Sequence, residues 1–277
     1  MFEALFLGLI QGLTEFLPIS SSAHLRIVGE FLPNAKDPGA AFTAITQIGT
    51  ELAVLLFFRV EITSIIRNFF KISILRQRNF SREEQADNKL GWMIIIGSIP
   101  IFILGFLFQE NIKTTFRSLT LIGITLILFA VILGIADYLG SSGKGLKDLN
   151  FAGALLMGIG QSLALIPGVS RSGMTIAMGR FLGYHRSAAT KISFFLAIPA
   201  VLGSGLYQLY QTINDPSNEV FSLVETLGAT VVAFVVGYAV IAWLMRFISK
   251  ASFAPFVIYR ILLGALVLLG VSINFIG

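Results

Sequence analysis

The sequence predicts an all-α integral membrane protein. Three observations carry that prediction: an apolar composition, repeated apolar runs long enough to cross a bilayer, and basic residues gathered between those runs. Of the 277 residues, 55% are hydrophobic and 13% charged, with a mean hydropathy of +0.84, where soluble domains are roughly 45–50% apolar and 25% charged. A soluble core cannot absorb that surplus. Six segments, at about 41–58, 91–109, 118–138, 187–209, 224–245 and 254–276, each approach the ~20 residues that cross ~30 Å of hydrocarbon as a helix. One membrane domain over 1–277 is expected, with no separate soluble domain.

Two further apolar segments, 2–32 and 151–183, are interrupted by proline and then by hydroxyl residues, at FLPISSSAH and LIPGVSRSGMT. Pro18 and Pro167 remove a backbone donor and disfavour helix just before them. Ser20, Ser21 and Ser22, and likewise Ser170 and Ser172, suit the N-cap of a new helix. Each half is then about 12 to 16 residues, too short to span alone, so both segments are expected to be re-entrant helix-break-helix hairpins. Gln11 precedes Pro18 much as Gln161 precedes Pro167, and AAFTAITQIGTELAV from Ala40 follows the first break as AATKISFFLAIPAVL from Ala188 follows the second. One hairpin plus three spans per half, an odd number of crossings, predicts an inverted-topology repeat, with repeat one at about 1–140 and repeat two at about 150–277. Such repeats with broken helices place a site near the midplane.

The stretch from Arg59 to Lys89, read as a loop, carries seven Arg and Lys residues and is cytoplasmic by the positive-inside rule. Alternation puts Lys144, Lys147, Arg246 and Lys250 inside, and the acidic stretch with Asp215, Glu219 and Glu225 outside. Both termini then face outward. The net charge of +5 is thereby accounted for by cytoplasmic loops, and nucleic acid is not expected as a partner. No cysteine is present, which excludes disulfides, thiolate catalysis and Cys-based metal sites. The first residues lack a cleavable signal pattern, so the first apolar helix is expected to be retained.

The chemistry concentrates at the two breaks. Gln11 and Glu15, spaced i, i+4, share a face of the first half-helix, and ionisable groups at membrane depth usually line a cavity. Helix N-termini offer unpaired N–H groups and a positive dipole end, and two converging termini make an anion site. Arg171 adds a planar cation suited to gripping phosphate with two bonds, among Ser170, Ser172 and Thr175. His24 lies three residues after Ser21, near its hydroxyl if the second half-helix has begun. Glu51, i+4 from Gln47, is a second carboxyl at membrane depth, open to either a cavity-lining role or an interhelical hydrogen bond. Arg260, one or two turns from a cytoplasmic helix end, is expected to snorkel, and His185 reads as an interfacial residue.

QGLTEFLPISSSAH, Gln11 to His24, together with PGVSRSGMT, Pro167 to Thr175, resembles the bacitracin-resistance family of undecaprenyl-diphosphate phosphatases over essentially the whole chain. In that family the first motif is Glu or Gln, three residues, then Glu, which Gln11 and Glu15 match. The resemblance places Glu15, Ser21, His24, Arg171, Ser172 and Thr175 on catalytic or diphosphate-binding positions, with Gln11, Ser20, Ser22 and Ser170 beside them. It also implies a divalent cation, magnesium or calcium, for which Glu15 is the candidate ligand. The lipid substrate implied has about eleven isoprene units, is released on the outer leaflet during wall synthesis, and is recycled for peptidoglycan at the bacterial inner membrane. The resemblance thus implies hydrolysis of undecaprenyl diphosphate to undecaprenyl phosphate and phosphate. The nucleophile stays open between Ser21 activated by His24 and a water activated by His24 or Glu15. A polyprenyl-phosphate flippase or transporter using the same anion site is the competing reading.

Overall fold

The computed structural model describes residues 1–113, 118–140, 143–215 and 220–276, and their regular structure is helical apart from one isolated bridge between Lys144 and Tyr184. Six helices are long and apolar enough to cross a membrane: α3 (Gly39–Phe57), α5 (Arg82–Leu107), α7 (Leu119–Leu139), α10 (Arg186–Asn214), α11 (Leu223–Ile248) and α12 (Ala254–Ser272). Each overlaps one of the six expected spans, with α5 starting well before 91 and α10 running past 209; a short helix, α6 (Gln109–Lys113), follows α5. Glu219, part of the acidic stretch assigned to the outer side, lies outside the described residues.

Both interrupted segments are broken helices, α1 (Phe2–Thr14) and α2 (Ser21–Gly29) in the first, α8 (Phe151–Ser162) and α9 (Arg171–Phe181) in the second. The breaks begin earlier than the prolines. α1 stops at Thr14 and α8 at Ser162, because restriction of the residue before proline, and loss of the proline's own donor, disturb the turn preceding it. The second halves, 9 and 11 residues, are shorter than expected. Each restarts on a serine in the left-handed region, Ser20 at φ 73° and Ser170 at φ 72°, and each of these serines caps its helix by accepting from the third residue on, Ala23 N–H and Gly173 N–H. The left-handed cap lets the chain reverse within one residue, a conformation that most L-residues avoid. Gly168, at φ +92°, packs so closely on Thr125 that a Cβ there would lie 2.0 Å from the Thr125 hydroxyl.

The stretch from Arg59 to Lys89 is more ordered than a loop. α4 (Arg59–Phe69) buries Ile62, Ile65 and Asn68 against α5 and leaves Val60 and Ile66 exposed beside Arg59 and Arg67, the pattern of a helix lying in a membrane interface. A π-helical turn (Phe70–Ile74) extends it, and a Ser81–Glu84 capping box opens α5. Lys191, near the start of α10, pairs with Glu61 of α4, so the N-terminal ends of α5 and α10 share the basic end of the bundle, while Gly39, Leu107 and Asn214 mark the opposite one.

With no hydrophobic drive between helices in lipid, close backbone approach at small residues holds a bundle together. α8 crosses α5 where a Cβ on Gly158 would lie 2.1 Å from the Gly97 carbonyl oxygen. Gly158→Leu is therefore expected to unseat the helix that leads into the second break, abolishing a monodisperse peak in detergent size-exclusion chromatography; a normal peak would show that this crossing tolerates separation.

Candidate functional site

The two breaks meet and interlock. Gly168 N–H donates to Ser20 Oγ at 3.2 Å, and Ser172 Oγ donates to the Leu17 carbonyl at 3.1 Å. Arg260 of α12 ties them from behind: its guanidinium donates to Pro18 O (3.2 Å), Gly168 O (2.7 Å) and Val169 O (3.0 Å). The side chain is fully buried and does not snorkel. Carbonyls freed by the breaks need donors where lipid supplies none, and a five-donor fork meets three of them at once. Removing it in Arg260→Met leaves those oxygens unpaired, which is expected to destabilise the fold by roughly 3–5 kcal/mol and to lower the unfolding temperature in detergent; an unchanged transition would refute that role.

Juxtaposed this way, the N-termini of α2 and α9 open on one cavity of about 520 Å³, whose polar end is formed by Glu15, Ser20, Ser21, Ser22, Ser170 and Arg171. Apart from the Ala23 and Gly173 N–H groups held by the capping serines, first-turn amides have no partner within their own helix, so both helix ends direct donors and positive dipole ends to this place. Glu15 is the hub. Its Oε2 accepts from Gln11 Nε2 at 2.6 Å and from Ser21 Oγ at 2.5 Å, and its Oε1 pairs with Arg171 Nη2. The rest of the cavity is apolar, walled by Ile101, Phe102 and Phe106 of α5, Leu165, and Ala200 and Val201 of α10, and it runs to Gln109, Tyr207 and Gln208 at the end of the bundle opposite the basic stretch. The shape fits an amphiphile with an anionic head and a hydrocarbon tail.

A family model described as bacitracin resistance protein BacA matches residues 4–266. The chain belongs to that family. Among its relatives, an undecaprenyl-diphosphatase of Micrococcus luteus is 57% identical over 274 residues, covering 98% of each chain. One of Paenarthrobacter aurescens is 53% identical with the same coverage, and undecaprenyl-diphosphatase 2 of Agrobacterium fabrum is 49% identical over 96% of this chain and 94% of its own.

In this BacA-family chain not every residue singled out in the sequence reaches the cavity. Gln11 is fully buried behind Glu15 and orients it. Thr175 is likewise buried and donates to Arg171 O within its own helix at 2.8 Å, supporting the helix turn that carries Arg171. Ser172 borders a second, smaller cavity behind the Glu15–Arg171 pair. His24 is not bonded to Ser21. Its Nδ1 lies 2.7 Å from Ser20 O, which can only accept, so Nδ1 is the donor; its Nε2 lies 2.7 Å from Tyr259 Oη, and the two rings stack at 5.6 Å. Bonding to a carbonyl one turn back rotates the imidazole towards α12 and away from the serine. His185 caps α10, its Nδ1 accepting from Ala188 N–H.

Tyr259 escaped the sequence reading, as did Arg260 in its bridging role; a polar pair inside an otherwise apolar span was the available signal. For a divalent cation the donor set is sparse. Among the described residues no three His, Cys, Asp or Glu side chains gather to hold one, and both oxygens of Glu15 already accept hydrogen bonds. Such a set does not form a closed protein cage, but it is compatible with a cation shared between one carboxylate and substrate phosphates, the usual condition of magnesium at phosphoryl-transfer sites.

Proposed function

We propose that this protein is a polyprenyl-diphosphate phosphatase, hydrolysing undecaprenyl diphosphate to undecaprenyl phosphate and phosphate in the bacterial inner membrane, and so recycling the lipid carrier of cell-wall synthesis and conferring resistance to bacitracin. The observation that carries this reading is the hydroxyl–carboxylate–guanidinium line Ser21, Glu15, Arg171 at the meeting of two helix N-termini. Phosphoryl transfer asks mainly for charge neutralisation and positioning. Arg171 and the first-turn amides meet the terminal phosphate, Ser20, Ser22 and Ser170 hold its oxygens, and the prenyl chain lies along the apolar wall.

Ser21 is the nucleophile best supported by contact, since it donates to the one group placed as a base. Its oxygen attacks the terminal phosphorus, Glu15 takes the hydroxyl proton, and undecaprenyl phosphate leaves. Water then releases phosphate from the phosphoserine: Glu15 returns its proton to the serine oxygen, takes one from the attacking water, and passes that proton to the departing phosphate, which leaves Glu15 ionised for the next turnover. His24, held on Tyr259 and Ser20, fixes the first turn of α2. A divalent cation would enter on the diphosphate with Glu15 as its protein ligand, and when bound would neutralise phosphate charge. Ser21→Ala is expected to lower turnover at least 1000-fold; near-normal turnover would transfer the attack to a water on Glu15.

The broken helices support two re-entrant hairpins in an inverted repeat, repeat one at about 1–140 and repeat two at about 150–277. The left-handed caps Ser20 and Ser170 match, both have a second serine hydroxyl 3.3 Å away, Ser22 and Ser172, and α1 packs on α11 as α8 packs on α5. The cavity's route to the end opposite the basic stretch supports an outward-facing site and outward termini. Ser22→Cys in this cysteine-free chain is expected to react with a membrane-impermeant thiol reagent in intact spheroplasts; labelling only in inverted vesicles would reverse the orientation and leave the chemistry untouched.

Carriage of a polyprenyl phosphate gains nothing from the relatives' names, and a hydroxyl bonded to a carboxylate beside the anion site favours hydrolysis. The test is phosphate release from C55 and C15 diphosphates, with and without chelator. Faster turnover of the C55 lipid and loss of activity with chelator are expected. Release indifferent to chelator would remove the cation, and equal rates on the two lipids would remove the role given to the apolar wall.

A further inference from the structure

One buried carboxyl takes no part in the scheme above. Glu51 lies within α3, 1% exposed, and its Oε1 has no hydrogen-bond partner among the described residues. With Glu15, Arg171, Ser172 and Ser193 it borders the smaller cavity, of about 10 Å³, the room needed by a single water. Two other buried polar atoms on the same wall are unpartnered among the described residues, Arg171 Nη1 and Ser193 Oγ, with Ser193 2% exposed. A cationic donor, a carboxyl oxygen and a hydroxyl able to donate or accept are complementary around one water, which typically makes about three bonds to such groups.

We propose that Glu51 is a positioning residue for Arg171, holding the inner edge of the guanidinium through a water shared with Ser193. The inference rests on the reading of the large cavity as a diphosphate hydrolase site. Glu15 has two duties there that conflict in time. It holds Arg171 Nη2 before substrate arrives, and it must release that nitrogen to the phosphate when it takes the Ser21 proton. Glu51 holds the other nitrogen, so the fork keeps its orientation while its front edge changes partner. The first motif position supports the same conclusion: Gln11 is an amide, so α1 brings a single carboxyl group to the site, and a second carboxyl comes from the neighbouring span. Ser193, on α10, completes the rear wall.

The test compares wild type with Glu51→Leu, Glu51→Gln and Ser193→Ala, measuring kcat and KM for phosphate release alongside thermal unfolding in detergent. Glu51→Leu is expected to unfold no earlier than wild type, since exchanging a buried polar group with an unpartnered oxygen for an apolar one is often neutral or stabilising, yet to lose about 30-fold, mainly in kcat. Glu51→Gln, able to bond the same water, is expected to recover most of that loss, and Ser193→Ala to lose about 3-fold. In an Arg171→Lys background Glu51→Leu is expected to change the residual rate less than about 2-fold, because the fork it orients is gone. Wild-type kcat in Glu51→Leu, equal impairment of the Gln and Leu variants, or an undiminished loss in the Arg171→Lys background would each overturn the proposal. Should Glu51→Leu not fold, Glu51→Gln and Ser193→Ala decide it, wild-type kinetics in both counting against. A wild-type protein that releases no phosphate would instead overturn the hydrolase reading itself.

Discussion

Lysine at position 171 is expected to lower turnover by about 100- to 1000-fold while leaving the protein inserted and folded. The ammonium keeps the charge but loses the planar fork. In the present geometry that fork has one edge on Glu15 and the other against the rear cavity, so it presents a planar face in a fixed orientation to a phosphate. A single point charge on a flexible stem satisfies neither edge, and removing one preorganised donor from a charge-stabilising site has an effect of about this size. Folding should survive, because the carbonyls of both breaks are held by Arg260 rather than by Arg171. Near wild-type turnover in Arg171→Lys, measured as phosphate release, would make Arg171 a structural residue.

Glu15→Gln is the second large effect, a fall of at least about 1000-fold. The amide is nearly isosteric and can still accept from Ser21, so packing around it should hold. It cannot take a proton, and it leaves Arg171 without the charge that restrains it between turnovers. Both losses act on the same step, which is why the fall should exceed that of Ser22 or Ser170 substitutions, whose hydroxyls are a few among many donors. A Glu15→Gln variant that stays active with only a displaced pH optimum would reassign the base to His24. That outcome would also require His24 to leave Tyr259 during the cycle.

How far the sequence could be read follows from what each residue's partner is. The six spans were legible because hydropathy and length alone determine whether a helix can cross. The breaks were legible because proline followed by hydroxyl residues acts locally, although the helices ended a turn or more before the prolines. Glu15, Ser21 and Arg171 stood out as polar groups at membrane depth, and the structure brings those three into one bonded line. Partners contributed by distant segments were not legible. Arg260 reaches carbonyls 91 to 242 positions away, and the polar pair it forms with Tyr259 marks the position without saying which carbonyls it meets. The orientation of the His24 ring was not legible for a similar reason. Spacing along a helix places it near Ser21, but Tyr259, 235 positions on, and the Ser20 carbonyl decide which way the ring turns. The stretch after Arg59 was read from its charge alone, which concealed the apolar face of α4.

The most direct test of the account follows undecaprenyl diphosphate with purified protein in detergent, where there is no second compartment. The expected result is one inorganic phosphate and one undecaprenyl phosphate for each diphosphate consumed, at a rate lowered by at least two orders of magnitude in Arg171→Lys under identical conditions. Intact diphosphate recovered after many minutes with wild-type protein that binds it, or equal phosphate release by wild type and Arg171→Lys, would contradict the assignment of this site to diphosphate hydrolysis.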